Sequence, residues 1–201
     1  MTGVLAGPDG RLRCPWSLST PDYLAYHDTE WGRPVTDVVG LYERLTLEAF
    51  QSGLSWITIL RKRENFRRAF AGFDPAAVAA FDEADVQRLL ADAGIVRNRA
   101  KIEAAVANAR VVAELGQEFA DLVLAHRVPD RPRPTPEEWR ATAPESVALS
   151  KALRRAGLRF VGPVTAYALM QAVGLVDDHL QGCWVPPAGR PAPAGDLVSD
   201  R

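Results

Sequence analysis

Four side chains with metal-ligating chemistry stand near the two ends of this 201-residue sequence: Cys14 and His27 early, His179 and Cys183 late. His179 and Cys183 are spaced to share one face of a helical turn. A Cys₂His₂ set completes tetrahedral zinc and leaves no position open for a substrate, so such a site would be structural and would tie the N-terminal segment to the C-terminal one. Separate buried residues are the other reading of the same four. The third histidine, His126, reads as a surface residue beside Arg127. A second constellation is Glu48, near the end of an amphipathic segment, followed by Gly53, Leu54, Ser55 and Trp56. A glutamate near a helix C-terminus opposes the helix dipole. With Trp16, Tyr23, Tyr26, Trp31 and Trp56 it suggests a pocket for a flat, cationic ring, although aromatics so placed also build cores. A third is Leu158 to Ala166, a Gly-containing corner between two helical runs. It would offer backbone N–H groups at a helix N-terminus to a phosphate.

The elements that must position these groups are helical. Asp37 caps a run with apolar Val38, Leu41, Tyr42, Leu45 and Ala49, and Gly53 ends it. Ser55 is placed to cap the next run, to Phe70. Asp74-Pro75 opens a short helix. Asp82 with Asp85 resembles a capping box for the run to Ala93. Arg97 to Leu115, Phe119 to His126, Ser146 to Ala156 and Pro163 to Val173 follow. No segment alternates as a strand would, so the fold class is all-α with eight to ten helices. Residues 1–12 and 188–201 read as disordered tails around a helical domain at 13–187. Residues 128–144 hold five prolines and read as an extended connection rather than a packed element.

Composition narrows the setting. The length suits one domain or two closely packed lobes. A net charge of −1 gives no global basic field. Local clusters at Arg61, Lys62, Arg63, Arg67 and Arg68, at Arg97, Arg99 and Lys101, and at Lys151, Arg154, Arg155 and Arg159 are either solvated faces or phosphate contacts. There is no apolar run of membrane-spanning length and no signal-like start, so the expected compartment is the cytoplasm, where a disulfide between Cys14 and Cys183 is not expected.

Several stretches match a known family in order: Arg13-Cys14-Pro15-Trp16, Tyr23 through Gly32, Leu47-Glu48, Gly53-Leu54-Ser55-Trp56-Ile57-Thr58, Lys62 through Phe66, Ala93 through Arg97, Phe160-Val161-Gly162, and Gly174 through His179. Over residues 12–187 the sequence resembles the 3-methyladenine DNA glycosylase I family. The resemblance implies the helix–hairpin–helix glycosylase fold, two helical lobes with the active site between them. It implies a structural zinc on Cys14, His27, His179 and Cys183. It implies a base pocket of Trp16, Tyr23, Tyr26, Trp31 and Trp56 with Glu48 as the catalytic or recognising acid. Leu54 becomes a candidate wedge for the vacated base stack, with a plain core leucine as the alternative, and Gly162 and Thr165 become DNA contacts at the hairpin. The implied reaction is hydrolysis of the N-glycosidic bond of 3-methyladenine in double-stranded DNA, by a monomer with no protein or membrane partner. Departures are informative. Phe160 stands where many superfamily hairpins carry glycine. Val164 stands where the bifunctional lyases carry lysine, so no Schiff base is expected. Asp177 falls near the superfamily's catalytic aspartate and ranks below Glu48. A non-catalytic nucleic-acid-binding module and a small-molecule pocket protein are the other classes.

Overall fold

Helix α2 (Val38–Gln51) runs through the middle of the molecule because nearly half its circumference is apolar: Leu41, Tyr42, Leu45, Leu47 and Phe50 are all buried. Asp37 Oδ1 caps it by accepting from Gly40 N at 2.7 Å, and the chain turns out of it through Gly53 at φ +81°. The computed structural model describes residues 3–128 and 131–187. Among these, nine α-helices carry the fold. Helix α1 (Pro21–Thr29) precedes α2, and α3 (Trp56–Ala69), α4 (Pro75–Ala79), α5 (Glu83–Ala91), α6 (Arg99–Leu115) and α7 (Gln117–Leu124) follow it. Helices α8 (Pro144–Arg155) and α9 (Pro163–Ala172) form the hairpin. The Asp74 cap and the reciprocal Asp82–Asp85 capping box are both present.

One large core joins α2, α3 and α6 to α9, from Leu41 through Phe66, Ile102 and Phe119 to Met170. The two ends of the described chain build a second, smaller core of Val4, Cys14, Leu180, Cys183 and Val185. A third cluster of Tyr26, Trp31 and Ala172, flanked by Trp16 and Trp56, lies where α1 and its neighbours meet α3 and α9.

Three expectations change. Residues 3–12 are not a loose tail: Leu5–Ala6 (β1) pairs antiparallel with Leu12–Arg13 (β2), and Val4 is buried. Strands of two residues are too short to show alternation, which is why no strand was expected. The proline-rich stretch is not merely a connection either. Pro134 is buried, its carbonyl accepts from Gln181 N at 3.0 Å, and Arg133 Nε reaches Asp177 Oδ2 at 2.9 Å. Ser55 heads α3 without a side-chain cap. The Tyr23 hydroxyl accepts from Ile57 N at 2.9 Å instead, so α1 serves the start of α3. The expected tail at 188–201 lies outside the described residues, as do residues 1 and 2.

The approach of the N-terminal segment to α9 depends on Gly174, which has φ +71° and would place a Cβ 2.7 Å from the Gly32 carbonyl oxygen. Gly116 also has positive φ, but open space around it. Gly174→Ala should therefore cost at least about 2 kcal/mol in denaturant unfolding, from left-handed strain plus a backbone clash. Gly116→Ala should cost about 1–3 kcal/mol from conformational strain alone, φ +53° with ψ −124° being a pairing L side chains rarely adopt. A Gly174→Ala cost below about 1 kcal/mol would show that the close approach carries no energy.

Candidate active site

The six residues proposed for a ring pocket come to one place. Trp16, from the 3₁₀ turn Pro15–Ser19, joins Tyr23 and Tyr26 of α1, Trp31 after it, Glu48 of α2 and Trp56 of α3 around a cavity of about 370 Å³. That volume suits a small planar ligand. The rings brace one another. Trp16 meets Tyr23 edge-on at 5.5 Å and Trp31 at 5.2 Å, and Tyr26 lies 5.5 Å from Trp56. The indole N–H groups of Trp16 and Trp56 are buried with no protein acceptor among the described residues. Sequence reasoning missed Gln51, Trp139 and Gln171, which also line the cavity. Gln171 had no detectable signal, because it shares its helix face with core residues.

Glu48 is the polar group at the floor. It is buried, and no hydrogen-bond partner is found for its carboxyl among the described residues. Burial pushes its pKa up to about 8, against a smaller downward pull from Arg44. Arg44 is half committed: its Nη2 donates to Glu30 Oε2 at 3.0 Å while its Nη1 is buried with no partner among the described residues, and Glu30 also takes a two-pronged contact from Arg63 at 2.6 and 2.8 Å. Burial therefore favours the neutral acid near pH 7. The Tyr26 hydroxyl is pushed above its ordinary pKa, first by burial and then by Glu48.

Glu48 and Gln51 also border a second cavity of about 250 Å³, walled by Ser52, Gly53, Leu54, Val164 and Thr165. Leu54 is 42% exposed there, so it is not a core leucine. Its corner is fixed from an unexpected side. Lys101 Nζ donates to the carbonyls of Phe50 at 2.9 Å and Ser52 at 2.5 Å, satisfying the last turn of α2. Gly162 is the N-cap of α9 rather than a wall of either cavity.

The hairpin is held by residues the sequence did not announce. Asn108 of α6 donates from Nδ2 to the Arg159 carbonyl at 3.0 Å and accepts from Arg159 N at 2.7 Å. Ser150 Oγ donates to the Val161 carbonyl at 2.6 Å. Phe160 takes the left-handed conformation, φ +56°, that glycine would adopt without strain. Of the three basic clusters, the first is largely spent internally: Arg61 pairs with Asp22, Arg63 with Glu30 and Arg67 with Glu43. In the second, Arg99 pairs with Glu83 and Glu103, and Lys101 serves the corner just described. In the third, Lys151, Arg154, Arg155 and Arg159 are all exposed around the hairpin, and none makes a side-chain ion pair among the described residues.

The four metal-ligating residues also converge, buried, with their ligand atoms within 4.8 Å of one another. Cys183 Sγ is 3.5 Å from His27 Nε2 and 3.7 Å from His179 Nδ1. Each imidazole turns its other nitrogen outward. His27 Nδ1 donates to Asp28 Oδ1 at 2.8 Å, and His179 Nε2 to the Trp31 carbonyl at 3.3 Å. That leaves one lone pair per ring facing inward, the arrangement a ligated histidine needs. Burial alone would raise the Asp28 carboxyl, yet hydrogen bonds from Arg13 and His27 hold it below the usual carboxylate range. Cys183 is drawn toward thiolate, chiefly by Cys14, and Cys14 is pushed the other way. The donor set therefore fits a metal. Asp177 is not at the cavity. Its oxygens accept from Arg133 Nε and from His179 N at 3.1 Å, which ties it to this loop.

Comparison with known proteins agrees with the geometry. The family described as methyladenine glycosylase matches residues 16–186. DNA-3-methyladenine glycosylase 1 of Escherichia coli (strain K12) is 47% identical over 186 residues, covering 89% of this chain and 99% of that protein. The DNA-3-methyladenine glycosylase of Haemophilus influenzae is 43% identical, covering 85% of this chain and 96% of its own. A crystal structure of 3-methyladenine DNA glycosylase I superposes with a TM-score of 0.83 at 46% identity, over 87% of this chain and 100% of the other. A variant of such an enzyme, in complex with 3-methyladenine, superposes at 0.80 with 34% identity, over 85% and 95%.

The burial of Glu48 has a consequence for stability. Its folded pKa, about 8, lies above the unfolded value of 4.5. The neutral acid is therefore tolerated below pH 4.5, and stability is lost progressively as pH rises from there through 8. Glu48→Gln removes this loss. Its melting temperature should match the parent's near pH 4.5, exceed it increasingly up to pH 8, and hold a constant lead above. A lead that does not change with pH would place the carboxyl in water rather than in the cavity.

Proposed function

The chain belongs to the methyladenine glycosylase family, and from that premise we propose that it is a monofunctional DNA glycosylase hydrolysing the N-glycosidic bond of 3-methyladenine in alkylated double-stranded DNA. The observation that carries the reading is the neutral, unpartnered Glu48 enclosed by electron-rich rings. Methylation at N3 leaves the nucleotide's adenine cationic. The faces of Trp16 and Trp56 attract a cation over a neutral ring, and the effect strengthens where water is excluded. Ordinary adenine brings no charge to offset the desolvation of a carboxylate. A cationic base does, so Glu48 ionises against it and the pocket discriminates by charge as well as by shape.

To reach the cavity the base must leave the helix, at a cost of a few kcal/mol that is smallest for a damaged base. Leu54 at its fixed corner fills the vacated stack. The free N–H groups at the start of α9, between Gly162 and Thr165, and the unpaired cations of the hairpin take the flanking phosphates. Glu48 borders both the base cavity and the Leu54 groove, which supports a C1′–N9 bond lying between them. On cleavage the bond's electron pair passes to the ring and cancels its charge, while water adds its oxygen to C1′ and gives up a proton. Lysine lines neither cavity, and Val164 occupies the first turn of α9, which supports water rather than an amine as the nucleophile.

The buried Cys14, His27, His179 and Cys183 would hold zinc, which supplies structural closure there and no catalytic step. Two free thiols in such a set suit the reducing cytoplasm. No helix among the described residues is long and apolar enough to cross a membrane. We take the working unit to be a monomer.

An oligonucleotide duplex carrying one 3-methyladenine tests the reaction. The expected result is release of the free base, with Glu48→Gln slower by at least about tenfold, one lost charge-assisted contact being worth about 1.5–3 kcal/mol. The parent's kcat/KM should climb as pH passes about 8 and the variant's should not. Binding without release by the parent would reduce the protein to a DNA-binding module. For the metal, elemental analysis should find one zinc per chain, lost in Cys183→Ser together with a marked fall in melting temperature. Metal-free parent protein, with Cys14→Ser equally stable, would remove zinc from the account.

A further inference from the structure

Trp139 lines the base cavity yet belongs to none of the elements that build its other walls. It ends the 3₁₀ turn Pro136–Glu138, within the stretch the sequence marks as proline-rich. Thr135 N donates to Glu138 Oε2 at 2.9 Å and fixes the turn. The strap leading to it is tied at four places to the loop that carries His179 and Cys183. Arg131 pairs with the buried Asp178. Arg133 reaches Asp177 at 2.9 Å and the Cys183 carbonyl at 2.9 Å, and Pro134 accepts from Gln181 N at 3.0 Å. Pro136 sits against Gly3 so closely that a Cβ there would lie 1.9 Å from the proline ring. A segment held this firmly places its last side chain in a defined position.

The indole so placed is 39% exposed, and it makes no hydrogen bond among the described residues. A large aromatic fastened at a cavity wall and left partly wet is not spent on the core. Its uncovered face is apolar area that a ligand can still bury.

We infer that Trp139 is a further base-binding residue: its indole covers the flipped, alkylated base from the strap side and helps retain it in the cavity. Residues 131–138 act as its positioning arm. The inference rests on the glycosylase reading and deepens it. It adds a wall to the pocket that comes from outside the aromatic segment and α3.

The test is calorimetric binding of free 3-methyladenine to the zinc-loaded full chain, paired with single-turnover base release. Trp139→Ala should weaken binding of the free base by about tenfold, at the scale of one desolvated ring contact. Trp139→Phe should recover most of that loss. Fluorotryptophan-labelled parent gives a readout that does not depend on how the alanine variant folds: the Trp139 fluorine resonance, assigned by its absence in Trp139→Phe, should move on saturation with 3-methyladenine. A stationary resonance overturns the inference. So does an alanine variant that binds free base as tightly as the parent, including one that loses affinity only for duplex. A parent that releases no base from alkylated duplex would instead sink the glycosylase reading itself.

Discussion

A carboxyl kept out of water is a demand on everything around it, and Glu48 is that carboxyl here. A neutral acid needs only to be enclosed. An ionised one needs a cation, and Arg44, which donates through Nη2 to Glu30 beside Arg63, exerts a pull on Glu48 that burial outweighs. Arg44 Nη1 stays buried and unpartnered among the described residues, and it makes no hydrogen bond to the cavity floor. The unmet demand is left for the ligand. Aromatic walls follow from the same logic, since they exclude water and present negative faces without supplying a counter-charge of their own. Tyr23 shows how economical the arrangement is, with its ring in the wall and its hydroxyl on the first turn of α3.

Two mechanical systems hold that chamber, one at each side. The Gly53 corner is fixed by Lys101, and the α8–α9 hairpin by Asn108. Both clamps come from α6, so the corner and the hairpin are referenced to one long helix. The opposite side is held by the Cys/His cluster. Trp31 is shared between the two, lining the cavity while its carbonyl accepts from His179 and its ring packs edge-on to that imidazole at 4.7 Å. A metal held there would bear on the cavity through Trp31 without touching a substrate.

The local grammar of helices was legible in the sequence. Asp37, Asp74-Pro75, the Asp82–Asp85 box and Gly53 act within four residues, and each stands where expected. The ring pocket was legible because its aromatics crowd one short segment. What stayed hidden depends on partners far apart in the chain. Arg63 looked free because Glu30 lies 33 residues away, and Lys101 because its carbonyls lie about 50 away. Trp139 was hidden by its prolines, which announce extended backbone but not where that backbone is tied down. Phe160 was flagged only as a departure. Its left-handed conformation is one that glycine would adopt without strain.

The clamp between the chain's two ends also sets an order on synthesis. The ribosome makes Trp16, Tyr23, Tyr26 and Trp31 before α2 exists, and residues 177–185, which hold that segment and the Trp139 strap in place, only after α9. Until then the aromatic segment can pack on α3, through Tyr23 and Tyr26, but lacks its contact with His179. A chain cut short of His179 would carry the acid, the rings and the hairpin without the loop that ties the segment and the strap together.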